Sequence, residues 1–173
     1  MRLRRLVFRA HDPRWSFAPG SGAGAARHGG RFDPKGVPAL YTSLCMETAW
    51  LEAQQAFPFK PQPLTICADE VDCGKIVNLS DPAVLAREGV DPSALSCAWE
   101  DEADRGRRPA IWSVHDALSA RGAVGILVPS FAPGAGPEDV NAVFWRWSDE
   151  PPCRVRVIDD LSRLPRDDAS WRA

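Results

Sequence analysis

The chain predicts an α+β fold built on a mostly antiparallel or split sheet, and three observations carry that prediction. About seven segments show strand patterning, two show clear helical periodicity, and those helices do not alternate with the strands as a parallel βαβ protein requires. With 173 residues, 45% hydrophobic and 25% charged, the sequence suits one domain, residues 1–173, with a polar tail from about residue 160.

Leu3 to Ala10 alternates and is rich in Leu, Val and Phe, which predicts a strand. The following PGSGAGAARHGG, Pro19 to Gly30, is so rich in Gly and Ala that it reads as a mobile connection. Gly20, Gly22 and Ala25 loosely match a dinucleotide fingerprint, but that fingerprint needs a strand before it and a helix after it, and neither is expected here. DPKG at Asp33–Gly36 is a turn signal, with Pro second and Gly fourth, placed to hold Arg31 at a bend.

Val37 to Thr42 reads as a short strand, and Ser43 as the N-cap of a helix from about Leu44 to Ala56 that stops at Pro58. On that helix Glu52 lies one turn after Thr48, beside Ala49 and Gln55, so it is free to face a cleft; Glu47 points elsewhere. PFKPQP is a stiff connection, and Leu64–Val71 and Lys75–Leu79 are strands. Between Asp81 and Arg108 the pattern breaks up, apart from Asp-Pro starts at Asp81 and Asp91 and a run of charges that reads as solvated surface. Ile111 to Arg121 has helix spacing and ends at Gly122. Ala123 to Val128 is a near-continuous apolar run, hence a buried central strand, ending at Pro129-Ser130. A Gly/Pro loop from Phe131 to Asp139 leads to strands at Ala142–Trp147 and Arg154–Ile158.

Several function classes drop out. No apolar run approaches the ~20 residues of a membrane span, and Leu6–Phe8 is too short for a secretory signal, so a cytoplasmic location without membrane contact is expected. Five cysteines, odd in number and without a C-x-x-C pair, read as reduced and mostly buried thiols rather than a disulfide framework or zinc site. His11, His28 and His115 lack metal-ligand spacing, and His115 reads as a satisfied surface residue, so no metal is expected. Neither a G-x-S-x-G elbow nor a phosphate-binding P-loop motif is present.

Residues 1–36 carry net charge +6 and the remainder −8. Such asymmetry marks a phosphate-bearing ligand, an acidic partner or nucleic acid; with no helix-turn-helix, zinc-finger or RNP-type motif, direct nucleic-acid contact is set aside. Arg31, Tyr41 and Glu52 are left as the chemical tools.

The order GGRFDP-x-G-x-P-x-LYTS over Gly29–Ser43, then TAWLE ending at Glu52, then VPS ending at Ser130, resembles the RES-domain toxins of bacterial toxin–antitoxin pairs, a family named for its Arg, Glu and Ser. Those residues are here Arg31, Glu52 and Ser130, and the resemblance covers roughly residues 5–160. Two departures stand out: Asn141 is followed by Ala142 where the family often has Asn-Pro, and Phe32 stands where Trp is commoner.

The resemblance implies an ADP-ribosyltransferase-like fold, an activity that consumes NAD, and an Xre-type antitoxin as partner. Breaking the nicotinamide–ribose bond develops positive charge on the sugar, which suits a carboxylate, Glu52, as catalytic group. A guanidinium, Arg31, matches the pyrophosphate as a bidentate fork. Tyr41 can stack on the nicotinamide ring, while Ser130 and Asn141 are expected among the NAD-binding residues. The acceptor of ADP-ribose stays open: a host protein, which would make the chain a mono-ADP-ribosyltransferase, water, which would make it an NAD glycohydrolase, or phosphate. The rival class is a non-catalytic binding module whose basic N-terminal face captures an acidic protein.

Overall fold

The structure, a computed structural model, describes residues 1–55, 59 and 61–172. Seven strands form one sheet: β1 Leu3–His11, β2 Leu40–Ser43, β3 Thr65–Cys73, β4 Ile76–Asn78, β5 Gly125–Pro129, β6 Val140–Phe144 and β7 Cys153–Val157, in the order β4-β5-β6-β2-β1-β3-β7. Every pairing is antiparallel except β4 with β5. The expected α+β class with a mostly antiparallel sheet is therefore what the chain adopts.

The sheet is split at its middle. β1 and β3 pair along nine positions, but β1 and β2 meet at one register pair, Phe8 with Ser43. The two halves then close on each other: Leu3, Val7, Val71 and Val155 from one half share a buried cluster with Leu40, Leu127, Ala142 and Phe144 from the other. β5 explains its own continuous apolar run, because Leu127 enters that cluster while Ile126 and Val128 face a second one, formed with Leu85, Leu95, Ile111 and Leu118 of the helices. Each such aliphatic side chain contributes about 1.5–3 kcal/mol on leaving water.

Those helices are α3 Pro82–Glu88, α4 Pro92–Leu95, α5 Trp99–Asp104 and α6 Ala110–Ala120. The segment expected to be patternless is thus three short helices. The Asp-Pro pairs start two of them, Asp81 accepting from the Ala83 N–H and Asp91 from that of Ser93. Their brevity hid them, since a single turn or two leaves too few apolar positions to show a period.

Other expectations need correction. Six residues of the Gly/Ala run, Ala23–His28, form helix α1, because Ala propagates a turn and Gly29, at φ 76°, stops it. The turn closes one residue later than DPKG suggests: Val37 N–H donates to the Pro34 carbonyl, and Gly36 takes the third position at φ 93°. Helix α2, Met46–Gln54, begins after Cys45 without a side-chain cap, while Ser43 stays in β2. The expected stop at Pro58 and the start of the proline-rich connection lie outside the described residues.

Cys73 and Cys153 are joined by a disulfide, leaving Cys45, Cys67 and Cys97 free. The all-reduced reading fails because the two cysteines, 80 residues apart in sequence, are direct partners in the β3–β7 register. His115 is buried rather than superficial, edge-on to Trp145 and hydrogen-bonded to Asp116 and Ser119. Among the described residues no helix is long and apolar enough to cross a membrane, and no cluster could hold a metal ion.

Candidate functional site

The parting of β1 from β2 opens a cleft of about 380 Å³, floored by Phe8 and Tyr41–Ser43 and walled by Ala49, Glu52 and Ala53 of α2. Arg31, Trp99, Phe131 and Asn141 also line it. Four of the five expected site residues therefore face one space. The fifth, Ser130, reaches it through Glu52.

Glu52 is held by distant parts of the chain. Its Oε1 accepts from Ser130 Oγ at 2.6 Å and from Asn141 Nδ2 at 2.5 Å. Asn141 is oriented in turn, because its Oδ1 accepts from the buried Ser43 Oγ at 2.6 Å, which leaves the amide NH₂ facing the carboxylate. The β2–β6 register makes this possible, since Ser43 and Asn141 are direct partners. Oε2 accepts from the Gln55 side chain, which is exposed and one turn on. Helix α2 is itself fixed at its start, where Thr48 donates to Asp139.

Arg31 is set by the turn that contains it. Gly30 and Asp33 form an isolated bridge, and two indoles clamp its backbone: Trp112 Nε1 donates to the Gly30 carbonyl at 2.9 Å and Trp145 Nε1 to that of Phe32 at 3.0 Å. The guanidinium lies 5.0 Å from the Phe131 ring centre, and its Nη1 donates to the carbonyls of Cys97 at 2.8 Å and Leu95 at 3.4 Å. Cation–π contact and two carbonyls fix one edge of the fork.

Tyr41 is fixed through its hydroxyl, which donates to Asp33 Oδ1 at 2.5 Å and accepts from the Phe32 N–H at 3.0 Å. With both functions engaged, the phenol offers the cleft its ring rather than a proton. Burial, and then the neighbouring Asp33 charge, hold its hydroxyl pKa well above the usual tyrosine value. Burial likewise pushes the Asp33 carboxyl up to about 6, against the stabilising hydrogen bond from Tyr41. Gly30 is required here: a Cβ on it would sit 2.4 Å from Tyr41 Oη and 2.6 Å from Asp33 Oδ1.

The sequence points to Glu52, Arg31, Tyr41, Ser130 and Asn141; in the structure Ser130 and Asn141 both donate to Glu52. Sequence reasoning missed Ser43, read as a cap, and Asp33, read as a turn former. No local signal separates a buried turn Asp from an exposed one; only the strand delivering Tyr41 does.

A family model for the RES domain matches residues 6–167. Among solved structures, a chain in the crystal structure of the M. tuberculosis MbcT–MbcA toxin–antitoxin complex is similar, with a TM-score of 0.58 and 18% identity over 92% of this chain and 84% of that one. No curated protein matches. With nearly its whole length matched by the family model, the chain belongs to the RES domain family.

Proposed function

We propose that the protein is the toxin of a toxin–antitoxin pair, a cytoplasmic enzyme that cleaves the nicotinamide–ribose bond of NAD and passes ADP-ribose to an acceptor. The observation that carries this reading is Glu52, pinned by Ser130 and Asn141 at the wall of a cleft that also presents Arg31 and Tyr41. A carboxylate fixed by two donors keeps its second oxygen for a ribose hydroxyl or an acceptor, once Gln55 yields it.

The residues fit the substrate's chemistry. Arg31 offers its free donors to the pyrophosphate, and the rings of Tyr41, Phe131 and Trp99 give flat apolar walls for the ring systems. As the C1′–N bond breaks, its electron pair leaves on the pyridinium nitrogen as neutral nicotinamide, and positive charge grows on the ribose carbon. Glu52 stabilises that charge from a preorganised position. An acceptor oxygen then bonds to C1′ and releases its proton.

The acceptor we favour is a side chain of a host protein, with water close behind. The neighbouring structure's toxin–antitoxin assembly supports an antitoxin as partner, which we take to be of Xre type. Incubating the protein with cell extract and NAD labelled in its adenylate part separates the acceptors: label on a protein band supports mono-ADP-ribosylation, and label recovered only as free ADP-ribose assigns water.

A further inference from the structure

Asp33 has no part in the chemistry above, yet its carboxylate is wholly enclosed behind the cleft. One oxygen accepts the Tyr41 hydroxyl, and the other, Oδ2, is buried with no hydrogen-bond partner. Among the described residues no cation pairs with it. Arg31, only two residues away, turns instead to Phe131 and to the carbonyls of Leu95 and Cys97.

An unneutralised carboxylate in a poorly solvated place projects negative potential onto whatever lies beyond Tyr41. The hydrogen bond adds to this, since a phenol donating to a carboxylate is polarised and its ring becomes more electron-rich. Ring faces attract cations electrostatically, and more strongly when water is excluded. At neutral pH Asp33, at about 6, is ionised and the effect is present.

Nicotinamide dinucleotides come in two charge states. The oxidised pyridinium ring carries a fixed positive charge, and the reduced dihydropyridine ring is neutral. We propose that the Asp33–Tyr41 pair is a charge filter that selects the cationic, oxidised dinucleotide over its neutral reduced form, with Asp33 a positioning residue acting through the Tyr41 ring. The inference rests on the NAD reading. It also fits that reaction, because only the oxidised form can release nicotinamide as a neutral leaving group.

The test measures binding of NAD and of NADH by calorimetry to the full chain carrying Glu52→Gln, which prevents turnover during titration. The same titrations are repeated with Asp33→Asn or Tyr41→Phe added. NAD is expected to bind at least tenfold more tightly than NADH. Asp33→Asn, which keeps an acceptor for the Tyr41 hydroxyl, lowers NAD affinity about five- to tenfold and changes NADH affinity less than twofold; Tyr41→Phe, which keeps the ring, shifts the ratio the same way. If both ligands lose affinity in parallel in these variants, Asp33 is merely structural and the filter is wrong. Binding of both forms with equal affinity to the Glu52→Gln protein also overturns the filter, while leaving the NAD reading in place. Binding of neither overturns the NAD reading itself.

Discussion

Ser130 Oγ donates to Glu52 Oε1 at 2.6 Å across 78 residues of sequence, and it does so from the end of a buried strand to the face of a helix. Asn141 Nδ2 occupies the same oxygen. Shared anchoring means that each donor's removal frees the carboxylate to swing. Ser130→Ala and Asn141→Ala are each expected to lower kcat about 10- to 100-fold, with KM less affected, from lost preorganisation. The double variant should fall short of the product of the single losses, since both act through one group. Steady-state kinetics on the three proteins reads this directly, and full multiplicativity would show that the two act independently.

Gly30→Ala places a methyl group inside contact distance of Tyr41 Oη and Asp33 Oδ1. The turn must shift, and the hydrogen bond between the two is stretched. An overpacking cost of about 1–3 kcal/mol follows, which lowers Tm by about 3–10 °C in a chain of this length. Differential scanning calorimetry checks it, and an unchanged Tm would mean the turn is slack.

Asp33 also leaves a signature in the pH dependence of stability. Its folded pKa, about 6, stands above the ordinary 3.8, so the folded state holds its proton more tightly than the unfolded state does. Asp33 therefore contributes stability below pH ~4 that is lost as pH rises through about 6. Relative to wild type, Asp33→Asn should gain stability between pH 4 and 7, on the order of 2–3 kcal/mol. Urea unfolding of both proteins across that range measures the difference. A constant difference would place the Asp33 pKa at its ordinary value.

Cys73 and Cys153 close a loop of 80 residues. On the chain-entropy account, a cross-link over that span stabilises by about 4.5 kcal/mol. The protein unfolded without reductant should react with three equivalents of thiol reagent, for Cys45, Cys67 and Cys97, and not five. Cys153→Ser should unfold at lower denaturant concentration.

Much of the frame is legible from local pattern. β1 is rich in Leu, Val and Phe, β5 runs apolar because both its faces are covered, and α6 keeps helical spacing, so each reveals itself within its own residues. The position of Glu52 on α2 is legible in the same way, from its small or polar helix neighbours Thr48, Ala49 and Gln55. What is not legible depends on register between remote strands. Ser43 has the composition of a cap but is opposed to Asn141, and Cys73 reads as a free thiol until β7 brings Cys153 beside it. Asp33 has the composition of a turn residue, and only Tyr41, arriving from β2, converts it into a buried acid. Helix α1 is masked by Gly24 and by the glycines that flank it, and the intrinsic penalty of its one internal glycine is small enough for the strap from Trp147 Nε1 to the Gly20 carbonyl and the Gly36–Ala26 backbone bond to offset it.

The central claim is that Glu52 works on the nicotinamide–ribose bond. Purified wild-type protein incubated with NAD, and with a cell extract to supply acceptors, is assayed for free nicotinamide beside a Glu52→Ala variant shown to be folded by circular dichroism. The account predicts steady release by wild type and a loss of at least 100-fold in the variant. Equal release by both proteins, or none by either, would contradict it.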